Sequence, residues 1–397
     1  MKKAKIAAAV LALVVSSTMS VSAVDEQNES FDLSKISIIL NEDPVDSFVD
    51  SLDTDWYGGV YYENDIPHII STNGNAENIQ NALNKRRSSE LSNIIIDVTS
   101  ARAANTVYSI EELRAAKENV LDKMDELGVI GVGLNGQNNA ISVFVEDLDD
   151  STATMQNAII SCAGISNVLF RDASDLPVEP YDLPTDNNDN AIMPRYTVRG
   201  GTKIVCRETG GWSTLATSAV YDYGGDDETY GFLTCGHDWA VGYTALYGSS
   251  SGSVLGTVLY REESGNVDYS FIESNQNSNG YMTDGTQLTS RKRPSTGLSV
   301  KVYGARTYQL LGSYATGSIT DTEISGEWDE IMFSDLFLTT APTIDGDSGG
   351  AFVYNSSSIV GIMKGAKGKT TNSYGQYVNS VGVDIYNIAA DNILPSC

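Results

Sequence analysis

Histidine is nearly absent from this chain. Only His68 and His237 occur, so any chemistry that needs an imidazole has two candidates. Cysteine is scarce as well. Cys162, Cys206, Cys235 and Cys397 are the full set, and their spacing matches no zinc motif. A disulfide-dense scaffold is excluded on the same count. Basic residues are few, 25 Lys and Arg against 52 Asp and Glu, for a formal charge of −27. That balance argues against nucleic acid and anionic membrane surfaces as partners. No apolar run approaches the roughly 18 residues of a membrane-spanning helix, and no membrane span is expected.

What the sequence does contain begins with Met1-Lys2-Lys3-Ala4-Lys5, an apolar run Ile6 to Val15, and small residues ending at Val21-Ser22-Ala23. A charged start, a short apolar stretch and an A-x-A-like site read as a secretory signal peptide over 1–23. Export to the extracellular space is expected, and export permits disulfides. Cys206 and Cys235 lie in one region and are expected to close the loop leading to His237. A loop of that size is worth about 3–4 kcal/mol in the chain-entropy model. Cys162 and Cys397 have no assigned partner, and a bridge between them stays open.

Residues 24–174 read as an α+β region. A helix is predicted over Ala76 to Arg86. Ser109-Ile110-Glu111-Glu112 opens another as a capping box, which runs to about Leu127 and ends at Gly128. Strand, turn and strand follow from Val129 to Val145, then a helix from Ser151 to Cys162 and a strand at Asn167 to Phe170. The earlier half repeats this loosely, with a helix at Pro44 to Leu52 and a hairpin from Trp56 to Ser71 turning at Asn64-Asp65. The order suggests two α-ββ-α-β units. Residues 175–194 hold prolines, asparagines and acids with few apolar side chains, the composition of an exposed, cleavable linker. The acidic run Asp186 to Asn190 is read as solvated linker, not a calcium site. From 195 to 397 short β-rich runs alternate with turns, which indicates an all-β sandwich or barrel. Only Asp384 to Leu394 reads as helix there.

The chemistry-bearing residues lie in this last region. Gly346-Asp347-Ser348-Gly349-Gly350 puts a serine in a glycine-flanked turn. A serine hydroxyl needs a base in hydrogen-bond contact and donors aimed at a developing oxyanion. His237, in Thr234-Cys235-Gly236-His237, is the candidate base. Asp268, in Asn266-Val267-Asp268-Tyr269, is the candidate acid that orients it, with Asp238, Asp226 and Asp227 as alternatives. The oxyanion donors are expected to be the N–H groups of Gly346 and Ser348. No cofactor or metal is needed for such chemistry. His68 is expected to be structural, and Asp347 to anchor its turn by pairing with Arg306 or Lys364.

In these three motifs, together with Val360-Gly361-Ile362, the chain resembles the chymotrypsin-like serine endopeptidases, most of all the secreted bacterial streptogrisin and α-lytic branch. The resemblance covers about 195–397. It implies a double β-barrel and a Ser348-His237-Asp268 catalytic triad that hydrolyses protein or peptide substrates through an acyl-enzyme. The 24–174 region resembles the pro-regions of that branch more weakly. That implies a zymogen whose pro-region acts as an intramolecular folding assistant and inhibitor, is cut within 175–199, and leaves a mature protein expected to be monomeric. The branch places a specificity pocket at Pro342, six residues before the serine, and along Lys364-Gly365-Ala366. No acid at Pro342 means no expected preference for Arg or Lys. An apolar or aromatic preference is the default, and Lys364 and Lys367 leave acidic side chains open. The chain also departs from the pattern: Cys235 precedes and Asp238 follows the Gly-His pair, and Thr339 to Asp345 holds no cysteine. Rival readings are a catalytically silent protease-like extracellular binding module, an esterase using the same residues, and an N-terminal region that never leaves.

Overall fold

The computed structural model describes residues 40–396 apart from 87–88, 99–105, 150, 177–197, 223–227, 238, 277, 329–330, 367–374 and 391–392. All of these lie in one compact unit, Ser37–Cys397. The signal segment, all but the first two residues of the linker, Lys367, Cys397 and the alternative acids Asp226, Asp227 and Asp238 fall outside the described residues.

The N-terminal region uses one topology twice. Helix α1 (Pro44–Val49) starts at Asp43, whose carboxylate accepts from Val45 N, with proline in the first turn where no N–H is needed. Strands β1 (Tyr57–Glu63) and β2 (Ile66–Ser71) form a hairpin turning on Asn64 and Asp65, at φ 51° and 62°. Two left-handed residues give the turn whose twist matches the strands. Helix α2 (Ala76–Arg86) crosses back, and β3 (Ile95–Val98) lies parallel to β2. The second set is α3 (Ile110–Leu121), β4 (Val129–Asn135), β5 (Ala140–Val145), α4 (Ala153–Ala163) and β6 (Val168–Asp172), again an antiparallel pair with a parallel third strand. Ser109 and Glu112 close the capping box of α3 reciprocally. The predicted continuation to Leu127 breaks after Leu121 and resumes as one turn, Met124–Leu127, before left-handed Gly128. Phe48, Ile69 and Ile79 from the first set and Leu113, Val143 and Ile159 from the second share a single core.

Two six-stranded antiparallel rings follow. The first comprises β7 (Lys203–Cys206), β8 (Thr217–Asp222), β9 (Glu228–Thr234), β10 (Thr244–Tyr247), β11 (Val254–Ser264) and β12 (Val267–Glu273). Pairing runs β7-β10-β11-β12-β9-β8. The gap between β8 and β7 is bridged by Gly201 N to Leu215 O and Leu215 N to Thr202 O, and Trp212–Thr214 adds to β7. The second ring comprises β13 (Ser299–Val302), β14 (Ala315–Trp328), β15 (Ile331–Thr339), β16 (Ala351–Tyr354), β17 (Ser358–Gly365) and β18 (Ser380–Asp384). It closes fully as β13-β14-β15-β18-β17-β16, with β16 back on β13. In both rings the first strand meets the fourth, then the fifth, sixth, third and second. One barrel architecture therefore occurs twice. Helices α5 (Ala305–Leu311), which sequence pattern does not reveal, and α6 (Ile385–Ala390) complete the region.

The two regions join by strand addition, charge and the packing of Leu40, Phe144 and Leu176 into an apolar cluster of barrel side chains. The half of β14 that extends beyond β13 takes β4 alongside it, antiparallel, with Val132 opposite Ser325 and Gly131 opposite Gly326. Arg114 grips Glu323 with two nitrogens, Lys117 faces Asp335, and Arg171 pairs with buried Asp321, which also accepts from Ser142 Oγ. At the other end Asn41–Glu42 pairs with Ser290–Arg291, and Lys292 is enclosed by N-terminal groups. Its ammonium, 1% exposed, reaches Asp46 at 2.6 Å and Asp43 at 3.1 Å and sits over the Tyr62 ring. Such a cation has left water entirely, so its carboxylates are obligatory partners. Asp46→Ala is expected to lower the stability of the full chain by about 3 kcal/mol in urea titrations. Asp50→Ala, which removes only an exposed pair with Arg293, is expected to cost about 0.5 kcal/mol.

Candidate active site

β9 ends at Thr234, and the chain turns through Cys235 and Gly236 to place His237 at the rim of the first barrel. Asp268 is the second residue of β12, the strand beside β9. Its Oδ1 accepts from Gly236 N and His237 N, both at 2.8 Å, and its Oδ2 lies 2.6 Å from His237 Nδ1. Backbone and side chain of the histidine are thus held by one carboxylate, and the tautomer with hydrogen on Nδ1 is selected. Both residues are buried, at 2% and 0% exposure. Burial works against the imidazolium, but the Asp268 charge outweighs it, aided by Cys235, so His237 is raised well above the ordinary histidine value. Burial likewise opposes the Asp268 carboxylate, while His237 and then Lys364 favour it, and its net pKa lies below the usual carboxylate range.

Ser348 stands in the turn between β15 and β16 of the second barrel. The turn is closed by Asp347 N to Ile344 O and Gly350 N to Asp347 O, each 2.9 Å. Two of its glycines are obligatory. Gly346 has φ 98°, and a Cβ there would lie 2.7 Å from the Trp212 ring. Gly349 has φ 85°, and a Cβ would meet Thr214 O and Thr234 Oγ1 at 2.3 Å. Thr214 ties the turn to the first barrel, with Oγ1 donating to Gly346 O and N donating to Ser348 O, both at 2.8 Å. Among the described residues, the N–H groups of Gly346 and Ser348 donate to no backbone carbonyl, as a pair of donors reserved for an oxyanion requires.

Asp347 departs from expectation. No ion pair joins it to the Arg306 guanidinium or the Lys364 ammonium, although the Arg306 backbone N–H reaches it. Its carboxylate accepts from Thr307 N at 2.8 Å, Thr307 Oγ1 at 2.5 Å and Ile344 N at 3.0 Å, using the opening turn of α5 as its anchor. Full burial without a countercharge raises its pKa despite those bonds. The expected Cys206–Cys235 disulfide is absent too. Both are buried free thiols in one apolar cluster, with the Cys206 thiol facing Glu208 Oε2 at 3.6 Å and the Cys235 thiol facing His237 O at 3.8 Å. The two sulfurs take separate partners in place of each other.

The Lys364 ammonium turns to the histidine–aspartate pair. The residue is buried near the end of β17. Its Nζ is 3.8 Å from Asp268 Oδ2, and its carbonyl accepts from Ser348 Oγ at 3.4 Å. It therefore connects the histidine–aspartate pair to the serine turn. Among the described residues buried His237 Nε2 has no hydrogen-bond partner, and the Ser348 hydroxyl is turned to Lys364 and not to the imidazole. Pro342 is half-buried, and its carbonyl accepts from Gln376 Nε2 at 3.3 Å. Gly365 pairs with Val381 on β18, and Ala366 is enclosed with Val300, Phe352 and Met363. His68 is remote from this cluster in the contacts it makes, stacked on Tyr61 and 3.5 Å from Asp97. Sequence reasoning passed over Thr214, Thr307 and the position of the Lys364 ammonium. Thr214 meets the serine turn across 132 positions of sequence and Thr307 meets Asp347 across 40, and no local pattern signals such contacts.

Twin barrels of one strand order, with the histidine and aspartate on the first and the serine turn on the second, are the chymotrypsin-like fold. Solved structures similar to half of this chain are bacterial serine proteases. Cellulomonas bogoriensis chymotrypsin matches at 21% identity and TM-score 0.39, covering 50% of this chain and 98% of that one. Nocardiopsis protease matches at 19% and 0.40, covering 51% and 100%. Thermobifida fusca protease A matches at 20% and 0.40, covering 50% and 98%. No protein-family model matches the chain, and no curated protein is found similar to it. Among the described residues no His, Cys, Asp and Glu group is arranged to hold a metal, and no helix is long and apolar enough to cross a membrane.

The electrostatics predict a reversal. In Asp268→Asn the burial of His237 remains and the carboxylate that outweighs it is gone. The His237 imidazole is expected to titrate below its ordinary value of about 6.5 where the native residue titrates above it. Proton NMR of the ring resonances across pH checks this, with His68 as the only other histidine.

Proposed function

We propose that this chain is a secreted serine endopeptidase made as a zymogen. The observation that carries the reading is the cluster in which Asp268 holds His237 by two hydrogen bonds and the preceding Gly236 N–H by a third, while Lys364 contacts both Asp268 and Ser348. Ser348 Oγ attacks the peptide carbonyl. His237 Nε2 takes the hydroxyl proton and returns it to the leaving amine. Asp268 fixes the tautomer and stabilises the imidazolium. The N–H groups of Gly346 and Ser348 receive the oxyanion, and water then hydrolyses the acyl-enzyme. Because His237 must be neutral to act, and its pKa is raised, activity rises towards alkaline pH.

The zymogen reading is supported by two features. Among the described residues Nε2 has no partner and Ser348 Oγ rests on Lys364 O, so a turn of the serine side chain completes the proton path; such bonds commonly tighten only in the working complex. The 40–176 region also meets the barrels through two strand pairings, ion pairs and the apolar packing of Leu40, Phe144 and Leu176, so it is docked on the domain it is proposed to inhibit. Processing within 175–199 releases a mature domain of 195–397 that acts as a monomer on protein or peptide substrates. The signal-like segment 1–23 directs export. With Lys364 committed to Asp268, an apolar or aromatic side chain remains the expected preference beside Pro342, Gly365 and Ala366.

A fluorophosphonate probe is expected to label the native protein and not Ser348→Ala or His237→Ala, and Ser348→Ala is expected to lower peptide hydrolysis by about 10⁵–10⁶-fold. Intact mass is expected to show the native chain falling to its C-terminal part while Ser348→Ala stays whole. Labelling that persists in Ser348→Ala would sink this assignment. Absence of labelling in native and processed protein alike would favour a silent binding module.

A further inference from the structure

A lysine side chain is an unexpected neighbour for the carboxylate that orients a general base. Lys364 is 6% exposed, and among the described residues Asp268 is the only acid within ion-pair reach of its ammonium. It approaches Oδ2, the same oxygen that takes His237 Nδ1, while Oδ1 is occupied by the two backbone N–H groups. The carboxylate is therefore shared between an imidazole and an ammonium.

We infer that Lys364 is a positioning residue that sets the basicity of His237 through Asp268. This rests on the endopeptidase reading for its consequence in catalysis. A cation beside the carboxylate competes with the imidazolium for the same negative charge. It keeps Asp268 ionised, as the acid must be to hold His237, and it opposes the excessive rise in the His237 pKa that a buried, unshared carboxylate imposes. A base that stays protonated cannot accept the serine proton, so the ammonium widens the pH range in which His237 is competent. The other groups facing the pair are Cys235, whose thiol lies against His237 O, and Arg261 of β11, whose Nε donates to Gly236 O and whose guanidinium pairs with Glu263. From the serine turn the hydroxyl of Ser348 meets Lys364 O.

The test is a titration of the His237 ring by NMR in the full chain, with Ser348→Ala as the common background so that the chain stays intact. Lys364→Met and Lys364→Gln remove the charge at similar length, and Lys364→Arg keeps it. The neutral variants are expected to raise the His237 pKa by about one unit, and the arginine variant to stay within about 0.3 of the parent. With Ser348 restored, the acid limb of fluorophosphonate labelling is expected to move to higher pH by the same amount in the neutral variants only. A His237 titration that is unchanged in Lys364→Met and Lys364→Gln, or that shifts equally in Lys364→Arg, overturns the inference. Native protein that never labels at Ser348 overturns the endopeptidase reading instead, and the ring titration still decides the role of Lys364.

Discussion

The Asp268 carboxylate is the constraint around which the rest of the site is arranged. It is fully buried, and a buried carboxylate stays charged only if its oxygens are supplied with donors. Here the supply comes from the backbone and ring of His237, the N–H of Gly236 and the ammonium of Lys364. The first barrel delivers the acid on β12 and the histidine just beyond β9. Because those strands are neighbours, the loop after Thr234 need travel only a few residues to wrap its amides around the carboxylate. The second barrel delivers Lys364 on β17, so the same charge also draws the two barrels' chemistry together.

The serine turn follows a different logic. Nothing in it depends on a countercharge. Asp347 is buried and pinned by the first turn of α5 and by its own loop, while Thr214 of the first barrel clamps the carbonyls of Gly346 and Ser348. The amides of Gly346 and Ser348 donate to no backbone carbonyl among the described residues. Glycine at 346 and 349 permits the close approach of Trp212 and Thr214 that fixes this arrangement. Preorganised donors of this kind cost no rearrangement when charge develops. What remains mobile in principle is a single torsion, the one that turns Ser348 Oγ from Lys364 O towards His237.

The N-terminal region meets the barrels by another route. Strand β4 lengthens the sheet on β14, Leu40, Phe144 and Leu176 pack into an apolar cluster with barrel side chains, and ion pairs add to these: Arg114 with Glu323, Lys117 with Asp335, Arg171 with Asp321, Lys292 with Asp43 and Asp46. Strand addition fixes register through backbone bonds, and the charges fix partner choice. The net charge of −27 is thus unevenly used, since several of the chain's few cations are committed at this junction.

Several features were legible in the linear sequence because their causes are local. The hairpin at Asn64-Asp65, the capping box at Ser109 and the α-β-β-α-β order come from turn chemistry and short-range periodicity. The β-rich texture after residue 195 comes from the same signals, and with only two histidines the candidate base was almost forced by composition. The Gly-Asp-Ser-Gly-Gly turn carried its own backbone requirements. Other features were not local and could not be read. Helix α5 has no strong apolar period, and its first turn is fixed by Asp347, 40 residues on. Cys206 and Cys235 were paired on sequence proximity, yet Cys206 ends β7, Cys235 lies in the turn after β9, and their thiols face different groups. Lys364 looked like a pocket cation by position, but barrel closure turned its ammonium to Asp268. Sequence alone therefore determined which groups were available and which backbone shapes were allowed. Tertiary structure decided which charges meet, because the energy of a buried ion pair depends on distance and desolvation, and neither exists until the barrels close.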